Sequence, residues 1–232
     1  MTDLTSDMTP HSPLVPLTHI QACVFDAYGT LFDLDATVGR IRDRIGDKTT
    51  ALTRIWRAKQ MALAKRPAVG ESDYWHVTGT ALDEAMGELG LADAHLRARL
   101  MQLVLNADTF PDALPTLQHL KQAGIRTAIL SNGTTTMLLS ATKHTALYKF
   151  LDAVVSTESA HAYKPDPATY ALICDRLHLP PAAICYVSGN AWDAEAAAQA
   201  GLRAVWVERG GEPARIALKL GGLDELPALL GH

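Results

Sequence analysis

Cysteine is scarce in this chain: Cys23, Cys174 and Cys185 are the only three in 232 residues, far apart and without a C-x-x-C pair. That excludes a disulfide framework and gives no zinc site, so the three read as buried free thiols. The nine histidines are scattered without ligand spacing and offer no metal site either. Neither sign of charge is in excess. With 21 Lys and Arg against 25 Asp and Glu, the net charge is −4, which leaves no basic footprint for nucleic acid or an anionic membrane. No apolar run approaches the roughly 20 residues that a transmembrane helix needs. The stretch from Met1 to Thr18 holds Asp3, Asp7 and three prolines but no Lys or Arg, the wrong composition for a secretory or mitochondrial signal. Residues 1–18 are therefore expected to be a flexible tail on a cytoplasmic protein.

Hydrophobic residues make up 48% of the chain and charged residues 20%, an ordinary globular composition. A length of 232 residues suits one core with a sizeable insertion better than two equal domains. Five short β-rich runs alternate with helical stretches: Ala22 to Phe25, Thr127 to Leu130, Ala153 to Val155, Ile184 to Val187 and Ala204 to Val207. That alternation predicts an α/β fold, a parallel five-stranded sheet with helices on both faces. Between the first two runs lies a long segment rich in Ala, Leu, Arg and Glu at helical spacing, read as an inserted helical cap over residues 36–108. Residues 19–35 and 109–232 then form the α/β core.

Each polar cluster follows one of these strands directly. Asp26 follows the first, Ser131-Asn132 the second, Lys164 comes soon after the third, and Ser188 to Asp193 follow the fourth. In an open α/β sheet such positions converge on the crevice at the carboxyl ends of the strands, which predicts one active site. In Val24-Phe-Asp-Ala-Tyr-Gly-Thr-Leu-Phe-Asp33 a buried strand runs into a tight turn, with Asp26 at its end and Gly29 permitting the turn. A carboxylate there is a nucleophile or a structural cap. Thr30 could bond only backbone in that turn, and Asp166 reads as the cap of a helix opening at Pro167. Trp56 and Trp75 read as core of the helical segment.

The four segments resemble, in order, the four motifs of the haloacid dehalogenase superfamily: the Asp26 turn, Ser131-Asn132-Gly133, Lys164-Pro165-Asp166 and Ser188-Gly-Asn-Ala-Trp-Asp193. The resemblance spans about residues 20 to 210 and implies a Rossmann-like core with Asp26 as a covalent nucleophile. Phosphatases of that superfamily carry a general-acid aspartate two positions after the nucleophile, where this chain has Tyr28. They also carry a magnesium-binding aspartate four residues before the last one, where this chain has Gly189. Without those groups a phosphate dianion would face Asp26 unscreened, and an alkoxide leaving group would lack a proton donor. A halide leaving group needs neither.

The turn, the Ser-x-Asn-Ala-Trp-Asp segment and Leu52-Thr-Arg-Ile-Trp-Arg-Ala-Lys-Gln60 resemble the L-2-haloacid dehalogenases, with Ala58 where that family commonly has Gln. The resemblance implies hydrolysis of (S)-2-haloalkanoic acids to (R)-2-hydroxy acids and halide, through an aspartyl ester, with no metal or other cofactor. It implies that the backbone N–H groups of Ala27 and Tyr28, with the Ser131 hydroxyl, hold the substrate carboxylate. Arg57 and Asn132 would cradle the halide and Trp192 would form an apolar wall. Asn190, Ser188, Lys164 and Asp193 would place the hydrolytic water, Thr30 would steady Asp26, and Tyr170 would line the site. Asp193 beside Asp26 disfavours joint ionisation, and Lys164 at about 4 Å offsets that by roughly 4 kcal/mol at a surface-like dielectric. The resemblance also implies a homodimer. A magnesium-dependent phosphatase and a non-catalytic protein on the same fold are the alternatives. A complete Asp26, Lys164 and Asp193 set argues against the second of these, since a binding protein needs no nucleophile.

Overall fold

A computed structural model describes residues 17–64, 73–210 and 214–232. Most of the expected N-terminal tail lies outside the described residues. Leu17, its penultimate member, is buried, and its N–H donates to Leu229 O at 2.8 Å, so the described chain is anchored at its first residue.

In chain order the first elements are β1 (Ala22–Phe25), β2 (Phe32–Asp33), α1 (Leu34–Gly39), α2 (Arg42–Ile45), α3 (Thr49–Ala64), α4 (Tyr74–Glu88), α5 (Ala94–Leu105) and β3 (Asp108–Thr109). They are followed by α6 (Ala113–Gln122), β4 (Arg126–Ser131), α7 (Thr135–His144), β5 (Ala153–Ser156), α8 (Pro167–Leu177) and β6 (Ile184–Ser188). The last are α9 (Ala191–Gln199), β7 (Arg203–Val207), β8 (Lys219–Leu220) and α10 (Leu226–Leu229).

The main sheet is parallel, in the order β5-β4-β1-β6-β7-β8. All five strands expected from the sequence are present, but the sheet has six, not five. The sixth, β8, is two residues long and pairs with Trp206 and Val207, too short to show an alternation of apolar and polar residues. Side chains alternate between faces along each strand and so divide the core in two. Cys23, Phe25, Ile129 and Val187 pack against Leu117 and Leu120 of α6 and Leu138 of α7. Val24, Leu130 and Tyr186 pack on the other face against Tyr170 and Ile173 of α8 and Ala197 of α9. Cys23 and Cys185 are buried opposite one another on neighbouring strands, and Cys174 is half-buried; all three are free thiols. Asp166 caps α8, its carboxylate accepting from Ala168 N at 2.9 Å with Pro167 at the first helical position.

Helices α1 to α5 surround a separate apolar cluster that includes Leu52, Trp56, Leu82 and Leu100, with Trp75 packed at its edge. The antiparallel pair β2–β3 joins Phe32 to Thr109 and Asp33 to Asp108, so the helical segment leaves and rejoins the sheet layer at one place. That arrangement sets α3 over the carboxyl ends of β1, β4 and β6. Trp56 anchors α3 there: it is fully buried, and its indole N–H donates to Thr78 O of α4 at 2.9 Å. Trp56→Ala should cost about 3–5 kcal/mol through the lost burial and the cavity left behind. Equilibrium urea unfolding measures it, and an unmoved midpoint would mean that α3 and α4 hold together without the indole.

Candidate active site

The turn after β1 is tied down from several sides. Asp26 N donates to Val187 O of β6 at 2.9 Å, and Ala27 O accepts from the N–H groups of Thr30, Leu31 and Phe32. Gly29 sits at φ +85°, where an L side chain is strained. It has a second reason to be glycine: a Cβ there would lie 2.5 Å from Arg57 Nη2. Gly189 is tighter still, since its Cβ would lie 2.1 Å from Gly29 O and 2.8 Å from Arg209 Cγ. The position that would carry a second metal-binding carboxylate in a phosphatase thus has no room for any side chain.

Three buried charges meet at the carboxyl end of β1. Lys164 Nζ lies 2.7 Å from Asp26 Oδ1 and 2.8 Å from Asp193 Oδ2, and also donates to Tyr186 Oη at 2.8 Å and Leu130 O at 3.2 Å. Asp26 is 5% exposed, Lys164 3% and Asp193 0%, so water screens these charges little. The second Asp26 oxygen accepts from Asn190 Nδ2 at 2.8 Å and from the Thr30 hydroxyl at 3.1 Å. Thr30 in turn accepts from Gly189 N at 2.9 Å, which couples the first and fourth motifs. Burial alone would pull the Lys164 ammonium down, but Asp193 and then Asp26 outweigh it and hold it above the ordinary lysine value. Asp193 is pushed up by burial, the larger cause, and by the like charge of Asp26, against the opposing pull of Lys164 and Tyr170. Tyr170 and Tyr186 are pushed well above the phenol range, first by burial and then by Asp193, so both stand as neutral donors.

A cavity of about 80 Å³ opens in front of Asp26, between the sheet and the helical segment. Asp26, Lys164, Ser131, Asn132 and Asn190 form its polar floor, Arg57 reaches in from α3, and Trp192, Tyr28, Leu34, Met61, Val104 and Met137 supply apolar wall. Arg57 Nη2 donates to Asn190 Oδ1 at 3.3 Å, so one amide is shared between the α3 arginine and the Asp26 carboxylate. Asn132 Oδ1 accepts from Lys164 N at 2.8 Å and from Thr157 Oγ1 at 3.2 Å, which leaves Nδ2 as its donor end. A single water needs roughly 10–15 Å³ of such space, so the cavity has room for a small molecule.

Five of the residues named from sequence sit elsewhere than on the cavity wall, and two of them, Thr30 and Asp193, are the fully buried partners of Asp26 and Lys164 already described. Tyr170, expected to line the site, is 1% exposed and donates to Asp193 Oδ1 at 2.7 Å, so it stands behind that carboxylate. Ser188 is fully buried and accepts from Asn190 N at 3.1 Å, shaping the turn that presents Asn190. Ala27 is also fully buried, inside the first turn. Sequence reasoning missed Tyr186, because a tyrosine inside the strand Ile-Cys-Tyr-Val-Ser looks like ordinary core. It missed Tyr74, Met61, Val104 and Met137 because apolar positions on amphipathic helices do not reveal which of them face a cavity. Arg209 was missed as well. It donates to Thr30 O at 3.4 Å and pairs with Asp112 at 2.6 Å, bracing the first turn. Among the described residues no group of three or more His, Cys, Asp or Glu side chains is placed to hold a metal ion.

Gly189→Ala should force the first and fourth turns apart, because the atom in the way is backbone and cannot rotate aside. Overpacking of this kind typically costs about 1–3 kcal/mol, with roughly 2–4 °C of melting temperature per kcal/mol in a chain of this size. A thermal melt indistinguishable from wild type would show that the two turns can part at no cost.

A family model for haloacid dehalogenase-like hydrolases matches residues 20–201. The (S)-2-haloacid dehalogenase 1 of Pseudomonas sp. (strain CBS-3) is 39% identical over 219 residues, covering 91% of this chain and 96% of the relative. The (S)-2-haloacid dehalogenase 4A of Burkholderia cepacia is likewise 39% identical over 219 residues, covering 91% and 95%. Among solved structures, a dehalogenase 38% identical superposes with a TM-score of 0.87 over 92% of this chain and 98% of its own. The L-2-haloacid dehalogenase of Xanthobacter autotrophicus with chloropropionic acid covalently bound superposes with a TM-score of 0.83 at 29% identity, over 91% and 98%. A match across most of the chain, with relatives at this identity, means that the chain belongs to the haloacid dehalogenase-like hydrolase family.

Proposed function

We propose that this chain is a hydrolase of carbon–halide bonds that converts short (S)-2-haloalkanoic acids to (R)-2-hydroxy acids, with Asp26 as the nucleophile. The observation that carries the reading is the Asp26 carboxylate, held by Lys164, Thr30 and Asn190 at the floor of a small cavity whose far side offers a guanidinium. The relatives are (S)-2-haloacid dehalogenases, and one structural neighbour holds chloropropionic acid covalently bound; both support it.

One Asp26 oxygen attacks Cα in line, the carbon–halogen bond breaks with its electron pair on the halide, and an aspartyl ester forms with inversion. Water then adds to the Asp26 side-chain carbon, the acyl–oxygen bond breaks, and one water proton ends on the departing hydroxyl. The other proton leaves through Asp193. Asp26 returns as the carboxylate, so the balance is haloacid and water to hydroxy acid, halide and a proton. In this reading the Ala27 and Tyr28 amides with Ser131 hold the substrate carboxylate, Arg57 and Asn132 receive the halide, and Trp192 walls the pocket. Lys164, Asn190 and Asp193 place the water, and Ser188 acts through the Asn190 turn. Tyr28 cannot replace the acid of a phosphatase: its hydroxyl donates to Val104 O at 3.0 Å, and burial pushes the phenol well above its ordinary value. We further propose that the enzyme works in the cytoplasm as a homodimer, without metal and without nucleic-acid or membrane partners. Among the described residues no helix is long and apolar enough to cross a membrane.

Purified protein should release halide from L-2-chloropropionate but not from the D enantiomer, and chelator should leave the rate unchanged. In a single turnover in heavy-oxygen water, label should enter Asp26 before it enters product. Label going straight to the hydroxy acid would mean that water attacks the substrate itself, and magnesium-dependent hydrolysis of phosphate esters would turn the reading toward a phosphatase.

Arg57 should matter to rate more than to binding, because charge grows on the halogen only as its bond breaks. Losing one such donor typically costs on the order of a hundredfold in rate. Arg57→Ala should therefore lose about that much, more on 2-chloro- than on 2-bromopropionate, and Lys at this position should restore only part of it. A folded variant that turns over both substrates at near wild-type rate would reduce Arg57 to an ordinary surface charge.

A further inference from the structure

Tyr186 projects from the middle of β6 into the charged cluster and belongs to none of the four motifs. It is fully buried, and its ring packs edge-on against Tyr170 with centroids 5.7 Å apart and planes at 83°. Its hydroxyl accepts from Lys164 Nζ at 2.8 Å and donates to Asp193 Oδ2 at 2.9 Å, which closes a triangle of three groups. The groups that face Asp193 are Lys164, Asp26, Tyr170 and Tyr186, from the loop before α8, the end of β1, α8 and β6.

A phenylalanine would fill the same volume, so packing alone does not call for the oxygen. The charge count does. Before reaction Lys164 is drawn toward two anions, Asp26 and Asp193, from two directions. Once Asp26 becomes an ester it is neutral, and the attraction on the ammonium becomes one-sided toward Asp193. The two already touch at 2.8 Å, and a further shift of the ammonium toward Asp193 would draw Lys164 away from the ester and make Asp193 a poorer base. The Tyr186 hydroxyl, carried by β6, gives the ammonium a neutral acceptor and the carboxylate a neutral donor, and resists that shift.

We propose that Tyr186 is a positioning residue for the second half-reaction: it keeps Lys164 and Asp193 in place, and Asp193 ionised, while water cleaves the Asp26 ester. This rests on the dehalogenase reading above. The first half-reaction depends on it less, because ionised Asp26 itself then holds Lys164 on the other side. Loss of a donor to the charged form raises a carboxylate's pKa, so without the hydroxyl Asp193 would need a higher pH to ionise.

The test compares wild type and Tyr186→Phe in rapid-quench single turnover on L-2-chloropropionate, with halide, hydroxy acid and the mass of the protein followed together. Tyr186→Phe should release halide at near wild-type rate but form hydroxy acid about tenfold more slowly, the scale of losing one hydrogen bond to a charged group. Protein carrying the ester at Asp26 should therefore accumulate, and the acid limb of kcat should move up by about one pH unit. Tyr186→3-fluorotyrosine, which keeps the ring and makes the hydroxyl a stronger donor, should move that limb the opposite way, and it serves if the phenylalanine variant melts far below wild type. Equal slowing of both half-reactions with no shift of the acid limb would overturn the proposal in favour of packing, and so would no change at all. Absence of halide release from wild type would instead overturn the dehalogenase reading, and this proposal with it.

Discussion

Two carboxylates buried within reach of one ammonium govern what the surrounding structure must provide. Asp26 and Asp193 both lie within 2.8 Å of Lys164 Nζ, and none of the three side chains is more than 7% exposed. Moving such charges out of water costs several kcal/mol each unless every remaining lone pair is met. The structure meets them: Thr30 and Asn190 serve one Asp26 oxygen, and Tyr170 and Tyr186 serve Asp193. Thr30, Asn190, Tyr170 and Tyr186 thus serve that cluster first, and of these only Asn190 also faces the cavity.

Missing side chains contribute as much as present ones. Where Gly29 and Gly189 face each other, Arg57 occupies the space of one Cβ, and Gly29 O with Arg209 that of the other. The first turn, the fourth turn and α3 can therefore come together around one carboxylate. Asn190 links all three, donating to Asp26 and accepting from Arg57. The helical segment thus takes part in the site through that shared amide, through Leu34, Met61 and Val104 on the cavity wall, and through Val104 O, which accepts from the Tyr28 hydroxyl.

Much of this was legible in the chain. The five longer strands stand out because each is an apolar run bounded by polar residues, and Asp166 was readable as a cap because Pro167 follows it. The place of Asp26 at a strand end follows from the turn chemistry of Gly29. Less legible was anything that depends on which of two similar faces a residue occupies. Tyr186 looks like a core tyrosine of a strand, and Tyr170 was expected to line the site; only the approach of both to Asp193, from β6 and from α8, gives their hydroxyls a purpose. The short strand β8 escaped for a simpler reason, since two residues carry no period.

The sequence by itself determined the order along the chain of the longer strands and helices, the four polar segments and the glycines at 29 and 189, because each of these is a local property of a few adjacent residues. Only the tertiary structure decided who pairs with whom. Lys164 reaches Asp26 across 138 residues and Arg57 reaches Asn190 across 133. Those contacts exist because the sheet order sets β4 and β6 on either side of β1 and because the β2–β3 pair returns the helical segment over their carboxyl ends. The physical reason is that strand order is chosen by the burial of whole faces, a sum over the entire chain, whereas a hydrogen bond of 2.8 Å depends on the final placement of two atoms.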